Sequence, residues 1–183
     1  MPHSGIEFHY RFCPHCGAEN PSLGDVPFKC SACGFANFFG PVAAVGGLII
    51  NHNGELLLVR RARDPGKGLW GLPGGFVDRY ETAEAALLRE IEEETRLVVT
   101  QPTYLMSHPN SYCYHGAVAP VIDFFFVCRV ESASKLQLAP EELEHFEWAR
   151  PTTKHLNHMA FHSNRVAIEF WLSSHDSPSR DVS

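Results

Sequence analysis

Four of the five residues from Glu90 to Glu94 are glutamates, and no other run in the sequence concentrates so much reactive chemistry. Glutamate favours helices, and residues three and four positions apart share a helix face, so Glu90, Glu93 and Glu94 are expected to lie together. Their mutual repulsion costs roughly 0.2–0.5 kcal/mol per pair, and only Arg89 is a basic neighbour. A small, hard divalent cation would turn this repulsion into attraction, and carboxylate oxygens suit Mg²⁺ or Mn²⁺. A solvated acidic helix face is the alternative interpretation.

The residues on either side of the glutamates indicate that this helix is packed and positioned. Leu88 and Ile91 form an apolar stripe for packing, and the small side chain of Ala86 leaves room on the glutamate side. Thr82 is predicted to cap the helix at its N-terminus. Upstream, residues 69–77 predict a strand broken by a Pro-Gly-Gly turn, because glycine permits backbone geometries that other residues resist.

The segment from Gly75 to Leu97 resembles the Nudix hydrolase signature, which combines a glycine, a glutamate and an arginine–glutamate group at fixed spacing. The matching positions are Gly75, Glu81, Arg89, Glu90, Ile91, Glu93, Glu94 and Leu97. One position departs from the signature, because Arg96 stands where the family has a glycine that closes the helix in a left-handed conformation. An arginine in that conformation costs on the order of 1 kcal/mol.

The resemblance implies a role for each charged residue of the signature. Glu90, Glu93 and Glu94 would be ligands of Mg²⁺ or Mn²⁺, with Glu93 the first choice as general base. Glu81 would be either an auxiliary carboxylate near the metal ions or a structural brace, and Arg89 would orient a ligand carboxylate. In this family water attacks a pyrophosphate that links a nucleoside diphosphate to another group, and metal ions neutralise the charge that develops on the phosphoryl oxygens.

Further residues are candidates for contact with the substrate or for catalysis. The backbone at Gly74 and Gly75 allows a close approach, the Arg60 guanidinium could meet a phosphate, and the Tyr112 ring could stack on an adenine. Solvated surface is the alternative for Arg60, and cross-strand packing is the alternative for Tyr112. A later polar stretch offers either a mobile catalytic carboxylate or ordinary loop charges at Glu141, Glu142 and Glu144.

Two C-x-x-C pairs near the N-terminus form the second strong pattern. The pairs Cys13/Cys16 and Cys30/Cys33 are each followed by glycine, and their close succession predicts a four-thiolate zinc site. Disulfide pairing is the alternative, but the sequence shows no secretory signal, and a cytosolic compartment keeps thiols reduced. A closed four-thiolate site has no open position for water, so it is expected to hold the fold.

Composition narrows the class of protein. The 183 residues suit one main domain with a small module, and a hydrophobic content of 44% is ample for a core. No apolar run approaches a membrane-spanning length, and the N-terminus lacks an apolar targeting region, so a cytoplasmic protein is expected. A net charge of −6 without a basic run argues against nucleic-acid binding.

The pattern outside the motifs predicts an α/β protein, specifically a Nudix-type α/β/α sandwich around a mixed sheet, preceded by a small zinc ribbon. The expected domains are a zinc ribbon at 1–38, a Nudix domain at 39–173 and a disordered tail at 174–183. The expected elements are strands at 41–50, 55–61, 118–130 and 146–148, a hairpin turn at 51–54 and a closing helix at 164–172.

A zinc ribbon before a Nudix domain is similar to the NADH and ADP-ribose pyrophosphatases, which implies ADP-ribose, NADH, FAD or a similar compound as substrate. The array that follows the signature in NADH pyrophosphatases agrees here only at Ser107 and Pro109. The rival hypothesis is a non-catalytic nucleotide sensor whose ribbon engages a partner, but intact Glu90, Glu93 and Glu94 favour an enzyme. The resemblance also leaves a homodimer open.

Overall fold

The computed structural model describes residues 4–130, 132 and 134–175, so most of the predicted disordered tail lies outside the described residues. Within this part of the chain the helices are α1 (Ala83–Thr95), α2 (Thr153–Leu156) and α3 (His162–His175), with a short 3₁₀ turn at Ile6–His9. The strands are β1 (Ser4–Gly5), β2 (Phe28–Lys29), β3 (Ala36–Asn37), β4 (Val42–Ile50), β5 (Leu56–Arg61), β6 (Trp70–Gly71), β7 (Val99–Tyr114), β8 (Ala117–Val130) and β9 (Leu143–Ala149).

The described residues form two compact units. The smaller unit contains the chain up to Val42 together with Ser111–Val121, and the larger unit contains Ala43–Asn110 and the residues from Ile122 onward. In the smaller unit, β2 and β3 form an antiparallel hairpin, and β1 pairs in parallel with the start of β8. The smaller unit therefore combines the N-terminal region with residues from the β7–β8 hairpin.

The sheet of the larger unit is built mainly from β8, β4, β5 and β6 in that order, with β7 paired to β8 and β9 paired to β5. The β4–β5, β5–β6 and β5–β9 pairs are antiparallel, and within the smaller unit β1 joins the start of β8 in parallel, in the same continuous sheet. The sheet is therefore mixed, as predicted. No helix within the described ranges combines the length and the apolar character that a membrane crossing requires.

Helix α1 covers one face of this sheet. Its side chains Leu87 and Ile91 are fully buried in a core that includes Ile49 of β4 and Leu57 of β5. The predicted packing stripe was half right, because Ile91 is buried but Leu88 is 39% exposed. The neighbouring Leu87 takes the inward position, since residues four apart share a helix face.

Helix α3 covers the opposite face. Its residues Ile168 and Trp171 are buried in a second core with Leu48 of β4 and Leu56 of β5. Successive side chains of a strand point to opposite faces, so β4 and β5 supply both cores at once. This arrangement confirms the predicted α/β/α sandwich.

The Pro-Gly-Gly break predicted within the strand at 69–77 is present, and β6 ends before it, at Gly71. Pro73 has no N–H for a sheet ladder, and Gly74 has φ of 148°, which an extended strand does not adopt. The segment still contacts β4 through the Val77 N–H, which donates to the Ala43 carbonyl at 3.0 Å. A glycine-containing turn therefore replaces the second half of the expected strand.

Candidate metal-binding active site

Helix α1 has a defined start and end, so its polar face is fixed relative to the sheet. The Thr82 hydroxyl oxygen accepts from the Ala85 N–H at 3.2 Å, which makes Thr82 the predicted N-cap. At the other end Arg96 has φ of 59°, and its N–H donates to the Glu92 carbonyl at 2.9 Å. The arginine therefore adopts the left-handed conformation that glycine favours at this position.

The glycine turn after β6 packs directly against the acidic face of α1. A Cβ atom on Gly75 would overlap the Glu90 carboxylate, and one on Gly74 would overlap the Val45 carbonyl oxygen. The Gly74 N–H donates to Glu94 Oε2 at 2.9 Å. Only glycine fits both positions without displacement, and this close approach brings the backbone of the turn beside the Glu90 and Glu94 carboxylates.

Arg89 joins the carboxylates of this face into one network. Its Nε and Nη2 atoms donate to both oxygens of Glu81, at 3.0 and 2.9 Å. Its Nη1 atom donates to Glu90 Oε1 at 2.9 Å and to Glu93 Oε2 at 3.2 Å, and Nη2 also reaches the Phe76 carbonyl. These partners raise the pKa of Arg89 and hold the pKa of Glu81 below its usual range.

The three predicted metal ligands differ in burial. Glu94 is only 6% exposed, and burial raises its pKa to about 8 against the opposing Gly74 hydrogen bond. Burial also raises the pKa of Glu90, although Arg89 opposes the shift. The Glu93 side chain is 60% exposed at the edge of the site. Two carboxylates are therefore held where their charged forms are disfavoured, and the third is accessible to solvent.

The carboxylates of Glu90, Glu93 and Glu94 share one region, but they are not gathered as tightly as the cysteines described below. Within the described ranges, the four cysteines are the group that places three or more ligand atoms within 4.8 Å of one another. Arg89 Nη1 bonds to both Glu90 and Glu93, which keeps these two carboxylates on either side of a guanidinium. The donor set of carboxylate oxygens is nevertheless the one that Mg²⁺ or Mn²⁺ prefers.

Of the three later glutamates that the sequence offered, Glu142 is the one whose charge acts on this site. Its negative charge raises the pKa of both Glu90 and Glu94. Arg63 Nη2 holds the Glu142 Oε2 atom at 2.7 Å, and the Glu142 carbonyl accepts from the Ala62 N–H at 2.8 Å. The contacts with Ala62 and Arg63, just after β5, therefore position Glu142 near the α1 carboxylates.

The residues predicted to contact the phosphate and the adenine are Arg60 and Tyr112. The Arg60 guanidinium lies 4.8 Å from the centre of the Trp70 ring, and the glutamates are not among its partners. Arg61 is instead close enough to Glu94 to oppose the rise in its pKa. Tyr112 is half-buried on β7 and belongs to the smaller unit. The roles predicted for Arg60 and Tyr112 stay predictions.

Sequence reasoning missed one residue that positions the glycine turn. Asn164 of α3 is buried, and its Oδ1 atom accepts from the Leu72 N–H at 3.1 Å. The contact links residues far apart in the chain, and a single asparagine in a helix gives no local signal for it. Helix α3 therefore helps to hold the turn that carries Gly74 and Gly75.

The four cysteines of the smaller unit form a compact cluster. The Sγ atoms of Cys13 and Cys33 are 3.7 Å apart, and so are those of Cys16 and Cys30. Tetrahedral zinc with Zn–S bonds of about 2.3 Å requires a sulfur separation of roughly 3.8 Å, so the cluster fits the ion. The backbone turns back after each pair, and the N–H of Gly17 donates to the Cys13 carbonyl at 2.9 Å. All six cysteines of the chain are free thiols in the structure.

We expect one Zn²⁺ per chain at this cluster, because four converging thiolates form a closed site of high affinity. Mild EDTA treatment should leave the zinc in place while it abolishes any activity that depends on Mg²⁺. Elemental analysis of protein purified without chelator measures the stoichiometry. A Cys16→Ser variant provides the matched control and should contain less zinc, whereas zinc-free wild-type protein would contradict the assignment.

The sequence of this chain is similar to those of known proteins. A family model described as NUDIX domain matches residues 40–168. An ADP-ribose pyrophosphatase of Methanocaldococcus jannaschii is 48% identical over 61 residues, which cover 33% of this chain and 36% of the relative. An NAD-capped RNA hydrolase NudC of Edwardsiella ictaluri is 29% identical over 142 residues, covering 77% of this chain and 52% of the relative. The chain thus spans about half the length, or less, of these curated relatives.

Solved structures show the same fold. A MutT NUDIX hydrolase from Burkholderia pseudomallei aligns with a TM-score of 0.58 at 28% identity, covering 71% of this chain and 97% of that one. A NUDIX hydrolase from Nitrosomonas europaea aligns with a TM-score of 0.65 at 23% identity, covering 92% and 94%. The family match covers well over half of the sequence and includes the whole acidic helix with its glycine turn. The chain therefore belongs to the Nudix family.

Proposed function

We propose that this protein hydrolyses the pyrophosphate bond of a nucleoside diphosphate linked to another group, and releases a nucleoside monophosphate. The observation that carries the proposal is the packing of Glu90 and Glu94 against the Gly74–Gly75 turn. Buried Glu94 and half-buried Glu90 lie with exposed Glu93 and the Gly74 N–H on one acidic surface, which fits a metal-assisted reaction at phosphorus. The printed names of the relatives, ADP-ribose pyrophosphatase and NAD-capped RNA hydrolase, support the same class of substrate.

Glu90, Glu93 and Glu94 would hold Mg²⁺ or Mn²⁺. Burial raises the pKa of Glu90 and of Glu94, so their charged forms are disfavoured without a metal ion, and a bound divalent cation would favour these forms. When bound, the ion would neutralise the charge that develops on the phosphoryl oxygens during attack by water. The backbone at Gly75 can approach the substrate closely because the residue has no side chain.

The protein residues have separate tasks in this proposal. Glu93 is exposed and would accept the proton of the attacking water, while Arg89 orients its carboxylate. Glu81 fixes the guanidinium through two hydrogen bonds and so keeps Arg89 directed at Glu90 and Glu93. Glu142 is the second candidate for the proton-accepting role, because its charge acts on the same carboxylates.

The proposal also assigns the two domains and the class of substrate. We assign a structural zinc ribbon to residues 1–38 and the Nudix domain to residues 39–173. The substrate would be ADP-ribose or a dinucleotide such as NADH or FAD, since each contains a diphosphate that can contact both the metal site and the glycine turn. A compound with one phosphate lacks the second anchor and the phosphate leaving group.

We expect cleavage of ADP-ribose or NADH into two phosphomonoesters, one of them AMP, with little action on AMP itself. In ¹⁸O-labelled water the label should enter a product phosphate, because attack occurs at phosphorus. Mass spectrometry of a substrate panel with Mg²⁺ or Mn²⁺ reads both results. Label in a sugar hydroxyl would contradict the mechanism, and nucleotide binding without turnover of any diphosphate would favour the sensor hypothesis.

A further inference from the structure

A pocket lies in the larger unit, at the other end of the sheet from the glycine turn. It has a volume of about 480 Å³ and is lined by Ile50, the turn that follows it, Arg129, Arg150 and Trp171 among others. This volume is within the range of about 300–1,000 Å³ that is typical of small-molecule sites. None of its lining residues belongs to the acidic site.

Strand geometry separates the pocket from the acidic site. Val45 of β4 contacts the glycine turn, whereas Ile50 of the same strand lines the pocket. Five residues of extended chain span about 16 Å. Along α3, Asn164 contacts the turn and Leu172 lines the pocket, a separation of about 12 Å in a helix. The two sites are therefore distinct.

The pocket combines two exposed cationic side chains with an apolar wall. By alternation, Arg129 lies on the same face of β8 as the buried Phe125, and its side chain is exposed near the end of the strand. Among the residues that the structure describes, neither Arg129 nor Arg150 has a carboxylate within 4.0 Å, whereas Arg63 and Arg165 each have one. Within the described part of the chain no acidic residue lines the pocket, although the full sequence carries a net charge of −6. Two guanidinium groups that have no carboxylate partner among these residues favour an anionic ligand.

The apolar residues of the pocket indicate the chemistry of the uncharged part of the ligand. Val127, Pro151, Trp171 and Leu172 line the pocket beside the arginines. A free inorganic anion would use the guanidinium groups but leave this surface uncovered. We propose that the pocket binds a small organic phosphate, in which the phosphate lies between Arg129 and Arg150 and an apolar or aromatic body covers the wall. A nucleoside monophosphate has this chemistry.

The experiment uses ¹⁵N-labelled full-length protein with AMP as the probe and no added divalent cation. The chain has three tryptophans, and a Trp171→Phe variant assigns the Trp171 indole N–H signal. AMP should shift this signal saturably. The double variant Arg129→Gln/Arg150→Gln should weaken that binding by at least about tenfold, because it removes both charge-assisted contacts. The matched control is Lys135→Gln, which removes one charge from an exposed turn and should bind AMP as the wild type does.

Adenosine and inorganic phosphate complete the test, and each should bind about tenfold more weakly than AMP, because each lacks one half of the recognised chemistry. Equal binding of phosphate and AMP would overturn the organic ligand class. An unmoved Trp171 signal, or unchanged binding by the double variant, would overturn the site itself. The single variants Arg129→Gln and Arg150→Gln keep the test valid if the double variant fails to fold. The inference does not depend on the proposed hydrolysis, since Glu93→Gln should leave this binding unchanged.

Discussion

Glu93→Gln is expected to lower turnover by about a hundredfold or more while the fold stays intact. The side chain is 60% exposed, so little buried surface depends on it. The amide oxygen of glutamine can still accept from Arg89 Nη1, which preserves the geometry of the helix face. What the substitution removes is one negative charge and one proton-accepting group, and both are required at the proposed site.

The matched control is Glu92→Gln on the same helix. Glu92 is exposed on another side of α1, and its backbone carbonyl, which accepts from the Arg96 N–H, is unaffected by the change. This variant should retain wild-type turnover. Steady-state kinetics at saturating Mg²⁺, together with circular dichroism, separates loss of chemistry from loss of fold. Near-normal turnover of Glu93→Gln would contradict the assignment of Glu93.

Glu94→Gln is expected to have opposite effects on activity and on stability. Burial raises the pKa of Glu94 to about 8 in the folded protein, far above the usual value for an unfolded chain. Between these two values the folded protein holds a proton that the unfolded protein has released, so this residue's contribution to stability falls as pH rises. Glutamine keeps an oxygen that accepts from the Gly74 N–H, but it cannot ionise. The Glu94→Gln variant should therefore avoid this fall in stability at high pH.

Without divalent cations, Glu94→Gln should raise the free energy of unfolding at pH 8.5 by on the order of 2 kcal/mol, and should change it little at pH 5. Turnover should fall strongly, because a buried carboxylate beside the glycine turn is lost. Urea unfolding at both pH values measures the stability, with Glu92→Gln as the control for a lost surface charge. A variant less stable than wild type at pH 8.5 would refute the argument.

The acidic helix was predictable because its information is local. Three- and four-residue spacing places Glu90, Glu93 and Glu94 on one face, and the cap at Thr82 follows from neighbouring residues. The four-cysteine cluster was predictable for the same reason, since each cysteine pair lies within one turn of chain. Strand and helix periods likewise placed the buried strands and the closing helix, although α3 begins earlier than expected, at His162.

Features that depend on distant contacts were not predictable. The choice of Glu142 among three later glutamates depends on the pairing of β5 with β9, which carries the chain back beside Arg63. Periodicity also could not decide between Leu87 and Leu88 as the buried neighbour of Ile91.

The hydrogen bonds of Arg89 have a consequence for the formation of helix α1 in the absence of a metal ion. Three glutamates share one guanidinium, so the repulsion on α1 is already reduced by a permanent internal cation. We therefore expect a newly synthesised chain to complete this helix at low magnesium concentration, and the metal ion of the proposed site would bind late and reversibly. The polypeptide alone would then set the shape of the site, and the magnesium concentration would set only the fraction of active molecules.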